Sequence, residues 1–243
     1  MEWQDQQDDG DVFEAGFSVE RSGNLVPGRW WAPSTVHRPR PLVLMGHGGS
    51  GHKRNARMTM LGRLFAGTHG WCAASIDGPV HGDRGPVVDP KQPEYSAMWQ
   101  RGDAVQGMIA DWQAVLGVLS AQRQVDDRRI GYWGLSMGTL FGLPFVASEP
   151  RLKVAVLGKA GMSGTSAERA LIRPYFEQFA PKVELPVLFT MQWDDERFER
   201  AGQLDLYDRL GSNDKRLQAY PGVHVDNGPD AFVSQAAFLA RYL

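Results

Sequence analysis

One serine lies between two glycines in Gly134-Leu135-Ser136-Met137-Gly138. G-x-S-x-G is the spacing of a nucleophile elbow, a strained strand-to-helix turn that pushes a serine hydroxyl clear of a sheet. An unassisted hydroxyl is a poor nucleophile at neutral pH, so acyl chemistry needs a base to take its proton and a carboxylate to orient that base. Of the six histidines, His224 suits the base role best. It sits in Tyr220-Pro221-Gly222-Val223-His224-Val225-Asp226, between the last expected strand and a terminal helix, where a loop reaches back over the serine. Asp194 and Asp195 close the preceding expected strand; one is to orient the imidazole and the other to cap the next turn. A developing oxyanion needs backbone donors: Met137, next after the serine, supplies one and Gly49, in His47-Gly48-Gly49-Ser50-Gly51, the other.

Competing chemistries fit less well. The glycine-rich loop lacks the Gly-Lys-Ser or Gly-Lys-Thr that completes a phosphate-binding loop. Asp77, His81, Asp83 and Asp89 match no standard ligand spacing, so neither metal nor cofactor is expected. His81 reads as a histidine tying a loop to the body. Cys72, the one cysteine, lies in an apolar run and reads as a buried strand residue.

The elements that must position these groups follow from periodicity. Two short strands, 14–20 and 25–32, flank the turn Arg21-Ser22-Gly23-Asn24 as an edge hairpin. Apolar runs at 42–45, 71–76, 130–133, 154–157, 186–191 and 216–220 read as further strands. Helices are expected over 56–68, 103–121, 139–147 (with Pro144 inside), 166–179 (broken near Pro174), 198–210 and 229–243. Strands alternating with helices imply an α/β fold: a mostly parallel sheet of about eight strands, covered by helices on both faces. In such sheets reactive residues gather outside the carboxyl ends of the strands, where all the loops named above fall. One domain, 1–243, is expected. It has a polar tail and edge hairpin at 1–41, a long irregular loop at 77–100 beside the site, and a small lid-like helical segment at 159–185.

Composition narrows the partners. Twenty-six basic against 28 acidic residues give a net charge of -2, so no global field points to nucleic acid or an anionic membrane. The acidic start of the chain lacks the basic and apolar regions of a signal peptide, and no segment approaches the roughly 18 uninterrupted apolar residues of a membrane span. A cytoplasmic protein acting on a small molecule is expected. Trp99, Trp193 and Tyr95 are candidates to wall an apolar substrate pocket.

From about Leu42 to Leu243 the sequence resembles the α/β hydrolases, and is most similar to the branch around dienelactone hydrolase and the small bacterial carboxylesterases. The elbow, His47-Gly48-Gly49, Asp77-Gly78-Pro79-Val80-His81-Gly82, Pro186-Val187-Leu188 leading to Asp195-Glu196, and Gly222-Val223-His224 carry the likeness, together with the chain order Ser, Asp, His. The resemblance implies the triad Ser136, Asp195 and His224; Gln192 stands where relatives have the glycine of Gly-x-x-Asp, and counting from it favours Asp195 over Asp194. Dienelactone hydrolase itself uses cysteine as nucleophile, so a serine here points to ordinary ester cleavage through an acyl-enzyme. Lactone, thioester or amide hydrolysis shares the same triad, and a catalytically silent binding module shares the same fold.

Overall fold

The computed structural model describes residues 2–243. Its strands are β1 (Gln4–Asp8), β2 (Val12–Arg21), β3 (Asn24–Pro33), β4 (Arg40–Gly46), β5 (Cys72–Ile76), β6 (Val125–Gly134), β7 (Leu152–Gly158), β8 (Val187–Gln192) and β9 (Lys215–Tyr220). They form one sheet in the order β1-β2-β3-β5-β4-β6-β7-β8-β9. The first three strands and the β3–β5 pairing are antiparallel; from β5 across to β9 every pairing is parallel. The carboxyl ends of β4 to β8 therefore open on one rim.

The helices are α1 (Ala56–Arg63), α2 (Pro93–Gln100), α3 (Ala104–Ser120), α4 (Met137–Ser148), α5 (Thr165–Arg169), α6 (Arg173–Phe179), α7 (Arg200–Arg209) and α8 (Pro229–Leu239). Alternation along β4 assigns its side chains to opposite faces. Leu42 and Leu44 join Trp112, Phe145 and Phe176 in the core under α3, α4 and α6, while Val43 and Met45 join Met58, Leu61 and Phe238 under α1 and α8. Both faces are thus apolar, which is why the central strands read as unbroken hydrophobic runs.

Three details differ from the expectation. The mostly parallel sheet of about eight strands has nine, the added one being β1, which lies where a polar tail was expected. Its five residues are all exposed and it pairs with β2 through the backbone, so hydropathy carries no trace of it. Trp3, just before it, packs over Phe13, Phe17 and Trp30. Segment 77–100 is not wholly irregular: it holds a short 3-10 turn, Gly82–Arg84, and α2. Helix α2 buries Tyr95, Met98 and Trp99, an i, i+3, i+4 set, and begins on a proline, where the missing N–H costs nothing. The helix expected over 166–179 divides earlier than Pro174. Leu171 takes a left-handed φ of 49°, and Pro174 then falls in the first turn of α6, which tolerates it.

Candidate active site

At the end of β6 the chain turns sharply into α4. Ser136 adopts φ 58° and ψ -123°, a strained combination that costs a non-glycine residue roughly 1–3 kcal/mol. The flanking glycines are required by space. A Cβ on Gly138 would stand 2.3 Å from the Gly46 carbonyl oxygen, and one on Gly134 would stand 2.6 Å from that of Gly138. The turn is pinned to the next strand, since Ser136 N–H donates to the Gly158 carbonyl at 3.0 Å and Thr139 Oγ1 accepts the Gly158 N–H at 2.8 Å.

Ser136 Oγ lies 2.9 Å from His224 Nε2, and His224 Nδ1 lies 2.8 Å from Asp195 Oδ2. The other carboxylate oxygen of Asp195 accepts the N–H groups of Arg197 and Phe198, each at 2.9 Å. Burial pushes the Asp195 pKa up, but the His224 contact and these two amides outweigh it and hold the carboxyl below its ordinary range. Asp194 points away, exposed and 3.8 Å from Arg200. Of the two neighbouring carboxylates, only Asp195 meets the imidazole. The Phe198 ring packs beside that imidazole, centroids 5.7 Å apart.

Two residues that sequence reading passed over hold the His224 loop. Glu196 Oε2 accepts the His224 N–H at 2.8 Å. Lys159, buried at the end of β7 with a left-handed φ of 48°, donates its ammonium to the His224 carbonyl at 2.9 Å and to that of Asp226. Burial, reinforced by Arg57, lowers the Lys159 pKa to about 8. A lysine immediately after a strand is an ordinary surface signal; nothing in its spacing announces a buried cation.

Across the cleft, Asp77 is wholly buried. It accepts the Lys53 N–H at 2.8 Å, the Lys53 ammonium at 2.7 Å and the Asp83 N–H at 2.9 Å. These bonds tie the loop after β4 to the loop after β5. His47 accepts the Gly78 N–H at Nε2, 2.8 Å, and lies 2.8 Å from the Gly48 carbonyl at Nδ1. The neutral ring protonated at Nδ1 satisfies both contacts, in keeping with burial pushing the pKa down to about 4. Neither Met137 nor Gly49 donates its N–H to a protein acceptor among the described residues.

The three aromatic candidates separate. Trp99 is core, stacked on Phe141 with centroids 4.6 Å apart and planes 16° from parallel. Tyr95 is buried behind the glycine loop, its hydroxyl 3.1 Å from where a Gly49 Cβ would be; burial pushes its pKa up to about 12, so it stays protonated. Trp193 is 49% exposed on the rim, with the Arg200 guanidinium 3.9 Å above its ring. Beside the site, a groove of about 290 Å³ runs between Pro90, Ser166, Arg169 and Glu196. No helix is long and apolar enough to cross a membrane among the described residues.

No family model matches the chain, and no curated protein does. Among solved structures, a cold-adapted esterase from an Arctic intertidal metagenomic library, bound to PEG, is similar over 100% of both chains, at 36% identity and a TM-score of 0.89. The native structure of such an esterase aligns over the same extent at 34% identity and a TM-score of 0.82. An acetyl xylan esterase from Paenibacillus sp. R4 shares the fold, at 18% identity over 98% of this chain and 88% of that one, with a TM-score of 0.75. With an elbow serine at the end of β6 and a full-length relative at this identity, the chain belongs to the α/β-hydrolase-fold esterases.

Proposed function

We propose that this protein cleaves carboxylic esters of small to medium size through an acyl-enzyme on Ser136. The observation that carries this reading is the unbroken line from Ser136 Oγ through His224 to Asp195, with contacts of 2.9 and 2.8 Å. As Oγ attacks the ester carbonyl, His224 Nε2 takes its proton and Asp195 stabilises the resulting imidazolium. The carbonyl oxygen, now an oxyanion, takes the free N–H groups of Met137 and Gly49. Met137 is the first residue of α4, so the positive end of the helix dipole adds to its donor. The tetrahedral centre collapses, the C–O bond breaks, and the alcohol leaves with the proton from His224. Water, deprotonated by the same imidazole, then hydrolyses the acyl-enzyme and regenerates Ser136.

The segment 159–185 contributes only α5, α6 and a short turn, too little to roof the site, and the flanking groove is open. Both features suit short acyl groups and varied alcohols better than a long buried chain. Trp193 on the rim is the apolar surface offered to such a substrate. One domain carries the whole site, and the cytoplasm suits a lone cysteine that is buried and unpaired.

Ser136→Ala should abolish turnover of p-nitrophenyl acetate, by at least about 10⁴-fold, with an unchanged circular dichroism spectrum. A fluorophosphonate should label the wild type at Ser136. Retained turnover in the variant, or an unlabelled wild type, would overturn the reading in favour of another nucleophile or a silent binding module.

A further inference from the structure

An oxyanion hole built on consecutive glycines has a problem of its own making. Gly48 and Gly49 let the backbone come close to a substrate, but they have more conformational freedom than any other residue and no side chain by which to be held. Their peptide planes must be fixed from outside.

The plane between Gly48 and Gly49 is fixed through its carbonyl. Gly48 O accepts the Gly51 N–H at 2.9 Å and the His47 Nδ1–H at 2.8 Å. Because the peptide unit is planar and trans, the Gly49 N–H points opposite to that carbonyl and is fixed with it. The following plane is held by a second histidine. His81 Nε2 lies 3.0 Å from the Gly49 carbonyl oxygen, and its Nδ1 faces the Pro79 carbonyl at 2.6 Å. The two imidazoles stand 5.2 Å apart. His81 has no exposed surface, and its neutral imidazole carries a single N–H, so only one of these two carbonyl oxygens accepts a hydrogen bond from it. It is therefore not a spare acid or base for the reaction.

We propose that His81 is a positioning residue for ester cleavage: with its proton on Nε2 it donates to the Gly49 carbonyl and fixes the second peptide plane of Gly49, so that the residue cannot turn and the N–H already set through the Gly48 carbonyl keeps its aim at the oxyanion. The proposal rests on Gly49 being an oxyanion donor, as read above. With His47 on one side and His81 on the other, both torsions of Gly49 are determined before substrate arrives. Preorganised donors of this kind act in the transition state more than in the ground state.

Two near-isosteres separate the Gly49 contact from a general packing role. In His81→Gln the side-chain amide nitrogen takes the place of Nε2 and keeps the bond to Gly49; in His81→Asn it takes the place of Nδ1, faces Pro79 and leaves the Gly49 carbonyl without its donor. Kinetics on p-nitrophenyl acetate should show kcat lowered roughly 10- to 100-fold in His81→Asn, a fraction of the loss on removing a donor outright. KM should stay within about twofold and inhibition by a trifluoromethyl ketone, which mimics the oxyanion, should weaken by the same factor as kcat. His81→Gln should keep kcat within about fivefold of wild type on the same argument. Melting temperatures of both variants show whether the comparison is made at equal folding. Equal kcat in the two variants, or a kcat loss with unchanged ketone affinity, would overturn the proposal. Turnover persisting in Ser136→Ala would instead overturn the serine esterase reading beneath it, so the two failures are distinguishable.

Discussion

Two loops approach Ser136 from opposite sides, and they are held in different ways. On the oxyanion side, segments 47–55 and 77–84 are joined by buried polar side chains: Asp77 takes two hydrogen bonds from Lys53 and one from the Asp83 N–H, and His47 and His81 cross between the loops. On the base side the loop at 222–227 is largely exposed, with Val225 57% accessible. It is gripped at a few main-chain points by Glu196 and Lys159. The difference follows from what each loop delivers. A backbone amide has no side chain to correct its aim, so its donors depend on a rigid frame. An imidazole is aimed by bonds to its own ring, from Asp195 and Ser136, and its loop needs less support.

Four experiments test that contrast. The largest effect should come from Asp195→Asn, which breaks the ring's own tether; kcat should fall by about 10⁴-fold, while Asp194→Asn stays within about threefold of wild type by the same kinetics, since its carboxylate is solvated. Comparable losses in both would mean that the base is not aimed as described. Next, Asp77→Ala should lower unfolding free energy by about 2–4 kcal/mol, because it removes three hydrogen bonds and leaves the buried Lys53 ammonium with Asp83 as its one carboxylate partner. Glu196→Gln on the base side should cost under about 1.5 kcal/mol. Denaturant melts of the two decide whether the oxyanion side really is the more rigidly supported.

The third experiment uses pH. Lys159 titrates near 8 in the fold against an ordinary 10.5. As pH rises through about 8, its ammonium becomes an amine and its grip on the His224 and Asp226 carbonyls weakens, so kcat/KM should decline there. Between the two pKa values the unfolded chain binds more protons than the folded one, so stability should rise over the same interval as activity falls. Lys159→Met should lower activity generally and lack that alkaline limb; an identical limb in the variant would assign it to another group. The smallest effect belongs to the rim. Trp193→Ala should leave kcat for the acetyl ester within about threefold and act, if on anything, through KM for aromatic esters, as uniform binding does. A large kcat loss would put Trp193 inside the reacting centre.

Much of this was legible beforehand, and the reasons are specific. The elbow was readable because its glycines answer a steric demand local to five residues, and the central strands because burial on both faces leaves an apolar run. Tyr95, Met98 and Trp99 carried a helical spacing inside a stretch dense with prolines, and the prolines masked it. Strand β1 left no hydropathic mark, since an edge strand with both faces in water pairs through its backbone alone. Trp99 was a plausible pocket wall by type; that its ring stacks on Phe141 depends on how α2 packs against α4, which composition does not encode.

The sequence alone marked out the candidate site in outline: a serine between close-packed glycines, an acid and a histidine later in the chain, and a glycine loop before them, all at the ends of strands. Their local covalent and steric requirements are written in residue type and spacing. Tertiary structure decided the rest. It chose Asp195 over its neighbour, brought Lys159 and Glu196 beneath the His224 loop, and set His81 against the Gly49 carbonyl. Each of these depends on hydrogen bonds between residues tens of positions apart, whose geometry exists only once the sheet has brought its loops to one rim.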